Sequence, residues 1–297
     1  MTHRSAVWAM VACSLMWSIA GVVSRHFEAA QGFEVTFWRS AFNALALVLM
    51  LGEMRGPSAL WATLRGGGRA LWLSGLCWAT MYTAFMMALS FTTVANVLVT
   101  MAIGPLLTAL LARAVLGHRL APRTWAAIAL AGAGIAWMYG HEISAGDPRH
   151  LLGVLIALAV PVAAAVNWTL LQHLRGRDDP PDMLAAVLLG ALLSAAVMLP
   201  LALPFAATVR DLSLLGLLGV VQLAIPCLLA VVAARVLAAP EISLLGLLEV
   251  LFGVAWAWLG AGEAPSGAVL AGGALVLLAL AGNEALGLRP DPTRATR

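Results

Sequence analysis

The sequence predicts an all-α membrane protein with ten transmembrane helices, arranged as two inverted five-helix repeats around a central cavity. Three observations predict it. The 297 residues are 62% apolar and only 10% charged, with a mean hydropathy of +0.94. Soluble domains carry roughly 25% charged residues, and so few charges cannot cover a surface facing water. Ten stretches reach the length, about 20 apolar residues, that one crossing needs. The chain also resembles itself at an offset of 145 positions, which bears on fold before anything else does. Almost no strand-like alternation is present, which argues against a β-barrel.

The internal likeness is seen by sliding residues 88–120 onto 233–265. Thr92-Thr93 falls on Leu237-Ala238, Asn96 on Glu241, Gly104 on Glu249, Pro105 on Val250, and Gly117-His118 on Gly262-Glu263. Identity is low, but the order of features is kept: apolar helix, tight turn, long apolar helix, Gly plus a polar residue, apolar helix. Five spans per half is an odd number, so the second half starts from the opposite side of the membrane. The repeats are then inverted, and a substrate site is expected near the midplane between them. The first repeat is assigned to 1–143, the second to 144–288, and a cytoplasmic tail to 289–297, with the loop 141–149 at the boundary.

The spans are expected at 6–27, 34–52, 69–90, 93–115, 122–140, 150–174, 183–203, 212–236, 240–260 and 264–286. The first is too long for the apolar run of a cleaved signal peptide and is expected to stay. On it Ser14, Ser18 and Gly21 share one face, which suits close helix packing, and Trp17 sits near mid-span. Span two carries Trp38-Arg39, a charge that needs a cavity, a partner or a short reach to the interface. In the connector 53–69, glycines and Pro57 are expected to break helix. Its RGGGR lacks the surroundings of a phosphate loop. Span three presents Trp78, Tyr82, Phe85 and Met86 as a stripe, with N–H and O–H groups that want partners, so it is expected to wall a cavity. Span four presents Asn96, Thr100, Gly104 and Thr108 four apart, a polar face that must avoid lipid, and Pro105 is expected to kink it. Pro161, Asn167 and Trp168 lie in span six, and Gln222 and Pro226 in span eight. Span nine opens at Pro240-Glu241 and carries Ser243, Gly246 and Glu249, the one carboxylate placed clearly mid-span and a functional candidate on that ground.

The polar residues elsewhere exclude several functions. Cys13, Cys77 and Cys227 all fall inside spans and read as packing residues, and the histidines lie near span ends without a metal-binding spacing. No cofactor is expected. The chain has no lysine. Its 17 arginines divide 13 to one side and 3 to the other, with Arg39 within a span, so both termini are expected to be cytoplasmic. The net charge of +3 therefore reports topology, and no basic stripe suggests nucleic acid.

The residues Met16-Trp17-Ser18, Phe37-Trp38-Arg39-Ser40, Gly104-Pro105, Gly117-His118 and Gly262-Glu263, in this order over residues 5–286, resemble the drug/metabolite transporter superfamily in its branch with two EamA-type repeats. Within it, the YddG-type aromatic amino-acid exporters look most similar. The resemblance implies two inverted repeats, a cavity lined by spans 1, 3, 4, 6, 8 and 9, and exchange of substrate by alternating access. Two departures stand out: His118 occupies a position where the family usually has Glu, and Glu249-Val250 replaces a usual Glu-Pro pair.

These features together lead to the expectation of a secondary transporter, not an enzyme, that exports aromatic and other neutral amino acids with broad selectivity across the bacterial inner membrane. Its partners are the substrate and the lipid bilayer, and a single chain suffices. Trp17, Trp78, Tyr82, Met86, Met101 and Trp168 would hold an apolar side chain. Asn96, Thr100, Asn167, Gln222 and Ser243 would bind the polar ends, and Glu249, Arg39 and Pro105 would couple or gate. No Walker motif is present, so ATP is not the expected energy source. Three alternatives stand beside this: an exporter of cationic drugs or metabolites around Glu249, a membrane-embedded enzyme needing clustered acids, histidines or a nucleophile, and a passive channel needing a continuous polar stripe.

Overall fold

Stretches that read as single spans fold in two ways, as continuous helices and as helices broken near their middle. The structure is a computed structural model and describes residues 1–24, 26–92, 97, 100–117, 120–139, 148–175, 177, 181–261 and 267–287. The continuous helices are α3 (Gly32–Arg55), α5 (Gly68–Phe91), α7 (Pro122–Tyr139), α8 (Pro148–Arg175), α9 (Leu184–Ala202) and α14 (Gly267–Gly287). The first span is broken into α1 (His3–Trp17) and α2 (Ala20–Ser24). In the fourth, helical Thr100 and Met101 are followed by a turn at Ala102-Ile103 and then by α6 (Gly104–Leu116). The eighth runs as α10 (Val209–Leu217), a π-helical segment Leu218–Ala224 and α11 (Ile225–Ala233); the ninth as α12 (Ala239–Gly246) and α13 (Leu248–Ala261). Among the described residues, seven segments are long and apolar enough to cross a membrane, and Gly104–Leu116 and Gly267–Asn283 are shorter apolar helices. Trp8, Leu49, Leu76, Leu155, Val197 and Leu278 are exposed on the outside of the bundle, as a lipid-facing surface requires. The protein is a multi-pass membrane protein.

Two sequence expectations change here. The connector 53–69 holds a further helix, α4 (Pro57–Gly66), where helix breaking was expected. Pro57 sits in its first turn, where a missing N–H costs nothing, after Gly56 at φ 82° turns the chain. Pro105 likewise does not kink a running helix. It lies in the first turn of α6, after a turn at Ala102-Ile103. In the eighth span, Pro226 has no N–H for the carbonyl of Gln222 four residues earlier. The ladder before it widens, with Ile225 N–H bonded to the Val220 carbonyl.

Packing joins the halves. α3 packs on α9 and on the π-helical segment, α5 on α8 and α9, α1 on α11, α12 and α13, α6 on α8 and α12, and α7 on α14. When the spans are numbered within each half, exchanging the halves maps these pairs onto one another. Small residues allow the closest crossings. A Cβ added to Gly190 would lie 3.0 Å from the Ala79 nitrogen, and one on Gly219 would lie 2.8 Å from the Asn43 nitrogen. Hydroxyls add a bridge: Ser194 Oγ lies 2.9 Å from Ser40 Oγ and 2.8 Å from Thr83 Oγ1, joining α3, α5 and α9.

Each end of the bundle is tied by its own polar set. At one end buried Asp211 accepts from the backbone N–H groups of Glu28 (2.7 Å), Ala29 (3.0 Å), Ala30 (3.0 Å) and Thr208 (3.1 Å). Beside it Glu34 accepts from the N–H of Ala206 at 3.0 Å and of Ala207 at 2.9 Å. At the other end Arg175 donates to the Val236 carbonyl at 2.6 Å, Gln172 Oε1 accepts from Ala239 N–H at 2.7 Å, and Arg55 pairs with Asp182. Asp211→Ala strands four backbone donors and is expected to lower stability by about 1–3 kcal/mol. Glu28→Ala removes an exposed ion pair with Arg210 and an exposed hydrogen bond from Thr208 Oγ1, and should cost about 0–1 kcal/mol. Thermal unfolding in detergent measures both, and equal losses would contradict the buried Asp211 clamp.

Candidate functional site

A cavity of about 150 Å³ lies between the two halves. An apolar cavity of about this volume takes up a benzene-sized molecule. Its main wall is aromatic. On α5, Trp78, Met81, Tyr82 and Phe85 face inward, and α8 contributes Val160, Pro161, Ala164 and Trp168. Trp78 stacks on Tyr82 with centroids 5.7 Å apart, and Trp168 meets Trp78 edge-on at 5.6 Å and 88°. Trp78 Nε1 and Tyr82 Oη are buried with no hydrogen-bond partner among the described residues, so the wall offers unsatisfied polar edges.

The opposite side is made by broken helices. Met10 and Trp17 come from α1, Gln222 and Leu223 from the π-helical segment, Cys227 from α11, and Ser243, Gly246 and Glu249 from either side of the break in the ninth span. Side chains bond backbone carbonyls and one another near these breaks. Ser14 Oγ donates to the Leu245 carbonyl at 3.1 Å, Gln222 Nε2 to the Trp17 carbonyl at 3.3 Å, and Trp256 Nε1 to Ser18 Oγ at 3.0 Å. Met101 and Gly104 close one edge.

Arg39 enters from α3 and is 1% exposed. Its guanidinium stays inside the bundle. Its Nη2 donates to the Tyr82 carbonyl at 2.8 Å and its Nη1 to Gln222 Oε1 at 3.4 Å. Its Nε has no partner, and no carboxylate lies within 4.0 Å among the described residues. One turn along, buried Asn43 leaves both amide atoms unpartnered. Buried polar groups of this kind are normally met by water or by a ligand. Glu249 faces the same cavity and interacts with Arg39 through space without an ion-pair contact. No group of three or more His, Cys, Asp or Glu among the described residues could hold a metal.

Of the residues singled out from sequence, the fold brings Trp17, Arg39, Trp78, Tyr82, Met101, Trp168, Gln222, Ser243 and Glu249 to this cavity. It places others elsewhere. Met86 packs with Ala30, Val35 and Leu215 instead, because eight residues on it lies roughly 80° round the helix from Trp78. Asn167 faces α5, where its Oδ1 accepts from Ser74 Oγ at 2.6 Å. Thr100 and Pro105 are buried outside the lining. Asn96, His118, Gly262-Glu263, the loop 140–147 and the tail 288–297 lie outside the described residues. Cys227 was read as packing yet lines the cavity. Five residues after Gln222, it would point away on an α-helix, but the π-helical turns bring both to one side.

A cavity between the two halves of an apolar helical bundle, with broken helices at its wall, is the architecture of a membrane transporter. Residues 4–140 and 151–283 each match the EamA-like transporter family, so the chain belongs to that family and carries its unit twice. A solved structure, described only as the crystal structure of a protein, is similar over 97% of this chain and 100% of its own, with a TM-score of 0.77 and 19% identity; at that identity the likeness concerns the fold. No curated protein matches.

Gly246 gives a direct handle on the cavity. A Cβ added there meets nothing within 4 Å, so Gly246→Leu grows into the open space. The variant is expected to keep its thermal midpoint and lose substrate exchange in proteoliposomes. A folded and fully active variant would show that substrate takes another route.

Proposed function

We propose that this protein is a secondary transporter of the drug/metabolite transporter superfamily that exports aromatic and other neutral amino acids, with broad selectivity, across the inner membrane. The observation that carries this is the joining of an aromatic wall to polar groups with spare hydrogen-bonding capacity in one cavity. Trp78, Tyr82 and Trp168 offer area and stacking to an apolar side chain, while Arg39, Gln222, Ser243 and Glu249 offer donors and acceptors to the polar end. The resemblance of the sequence motifs to YddG-type aromatic amino-acid exporters motivates the same substrate class.

We also propose ten crossings in two inverted repeats, with both termini in the cytoplasm. The two family units and the packing pairs that survive exchange of the halves support the inverted repeat, and the arginine distribution supports the orientation. Alternating access then consists of releasing one of the two polar ties, the Asp211 and Glu34 set or the Arg175 and Asp182 set, while the other holds. Glu249 favours a second reading, an exporter of cationic compounds, because it is a carboxylate facing a largely apolar cavity.

Counterflow of labelled phenylalanine in proteoliposomes tests the main proposal. Phenylalanine and threonine are both expected to exchange. Tyr82→Ala should reduce phenylalanine exchange about tenfold more than threonine exchange, the worth of one aromatic contact. Equal loss for both substrates would count against an aromatic pocket at Tyr82, and exchange of cationic compounds alone would favour the second reading.

A further inference from the structure

Resting on the amino-acid proposal above, we infer that the cavity recognises the zwitterion itself: Arg39 takes the substrate carboxylate and Glu249 takes its ammonium group. Two opposite charges line one cavity and are not paired with each other. Attraction between such groups is large in a low-dielectric interior, so holding them apart is costly unless something sits between them. Each has capacity to spare. A guanidinium has five N–H donors. At Arg39 one bonds the Tyr82 carbonyl, one makes a long bond to Gln222, and Nε is unpartnered. The Glu249 carboxylate makes no hydrogen bond or ion pair with the protein among the described residues.

The position of Arg39 also fixes where the rest of the substrate goes. Because Arg39 is anchored on the carbonyl of Tyr82, the carboxylate pole adjoins the Tyr82-Trp78-Trp168 wall. A side chain leaving the α-carbon can run along that wall. The anchor through Gln222 to the Trp17 carbonyl keeps the guanidinium from swinging out. Charge-assisted hydrogen bonds of this kind give an amino acid a clear advantage over a compound lacking either charge. The side chain is read only by area and stacking, which is consistent with broad selectivity.

Thermal stabilisation of the purified full chain, titrated with phenylalanine, phenethylamine and 3-phenylpropionate, tests this and reports folding at the same time. Wild type is expected to bind phenylalanine about tenfold or more tighter than either analogue. Glu249→Gln should bring 3-phenylpropionate level with phenylalanine, and Arg39→Gln should do the same for phenethylamine. If Arg39→Gln does not fold, the wild-type panel and Glu249→Gln still decide. Wild-type binding of phenylalanine and phenethylamine with equal strength would overturn the inference, as would an unchanged ratio in Glu249→Gln. Binding of phenethylamine without phenylalanine would instead remove the amino-acid proposal beneath it.

Discussion

A guanidinium buried inside an apolar helical bundle, with no carboxylate in contact among the described residues, is the constraint around which this structure is arranged. A charge in that setting survives only where protein dipoles and a polar cavity replace water. Arg39 meets the first need through the Tyr82 carbonyl and the Gln222 amide. Those contacts tie α3 to α5 and to the π-helical segment, and Gln222 passes the tie on to α1 through the Trp17 carbonyl. The next residue, Ser40, joins the hydroxyl bridge to α9 and α5. One short stretch of α3 therefore links α5, the π-helical segment and α1, three of the segments that wall the cavity, and the second need is met by that cavity itself.

The broken helices follow from the same constraint. Irregular backbone at membrane depth is tolerated only inside protein or beside a cavity. The interruptions at Ser18-Ile19, at Ala102-Ile103, over Leu218–Ala224 and at Leu247 lie in the segments that supply the lining. Freed polar groups near them are taken up by neighbours, as the Leu245 carbonyl is by Ser14. Such helices bend more readily than continuous ones, so the part of the bundle that touches substrate is also the part able to change shape. The Asp211 and Glu34 ties at one end and the Arg175 and Asp182 ties at the other consist of a few hydrogen bonds each. They are separate from the apolar contacts of α7 on α14 and α5 on α9.

Much of this was legible in the sequence because hydrocarbon punishes polarity. Arg39 and Glu249 stand out among apolar neighbours, and the stripe Trp78, Tyr82 and Phe85 repeats at helical spacing. All five line the cavity. What sequence spacing missed depends on local departures from the α-helix. An α-helical period cannot place Cys227 beside Gln222, because the π-helical turns lie between them. Pro105 looks like a kink in an uninterrupted apolar run, but the helix begins just before it. Met86 fails for a simpler reason: a stripe counted at i+8 drifts off the face that i+3, i+4 and i+7 define. Asn167 shows that a polar residue within a span can be spent on helix packing, here on Ser74, without reaching the cavity.

The most direct measurement is an experimental structure of the protein with phenylalanine bound. Density for the ring against Trp78, Tyr82 and Trp168, with the carboxylate at Arg39 and the ammonium at Glu249, is the result expected. Phenylalanine density elsewhere in the molecule, or a cavity that stays occupied by water or lipid at saturating phenylalanine, would contradict the account.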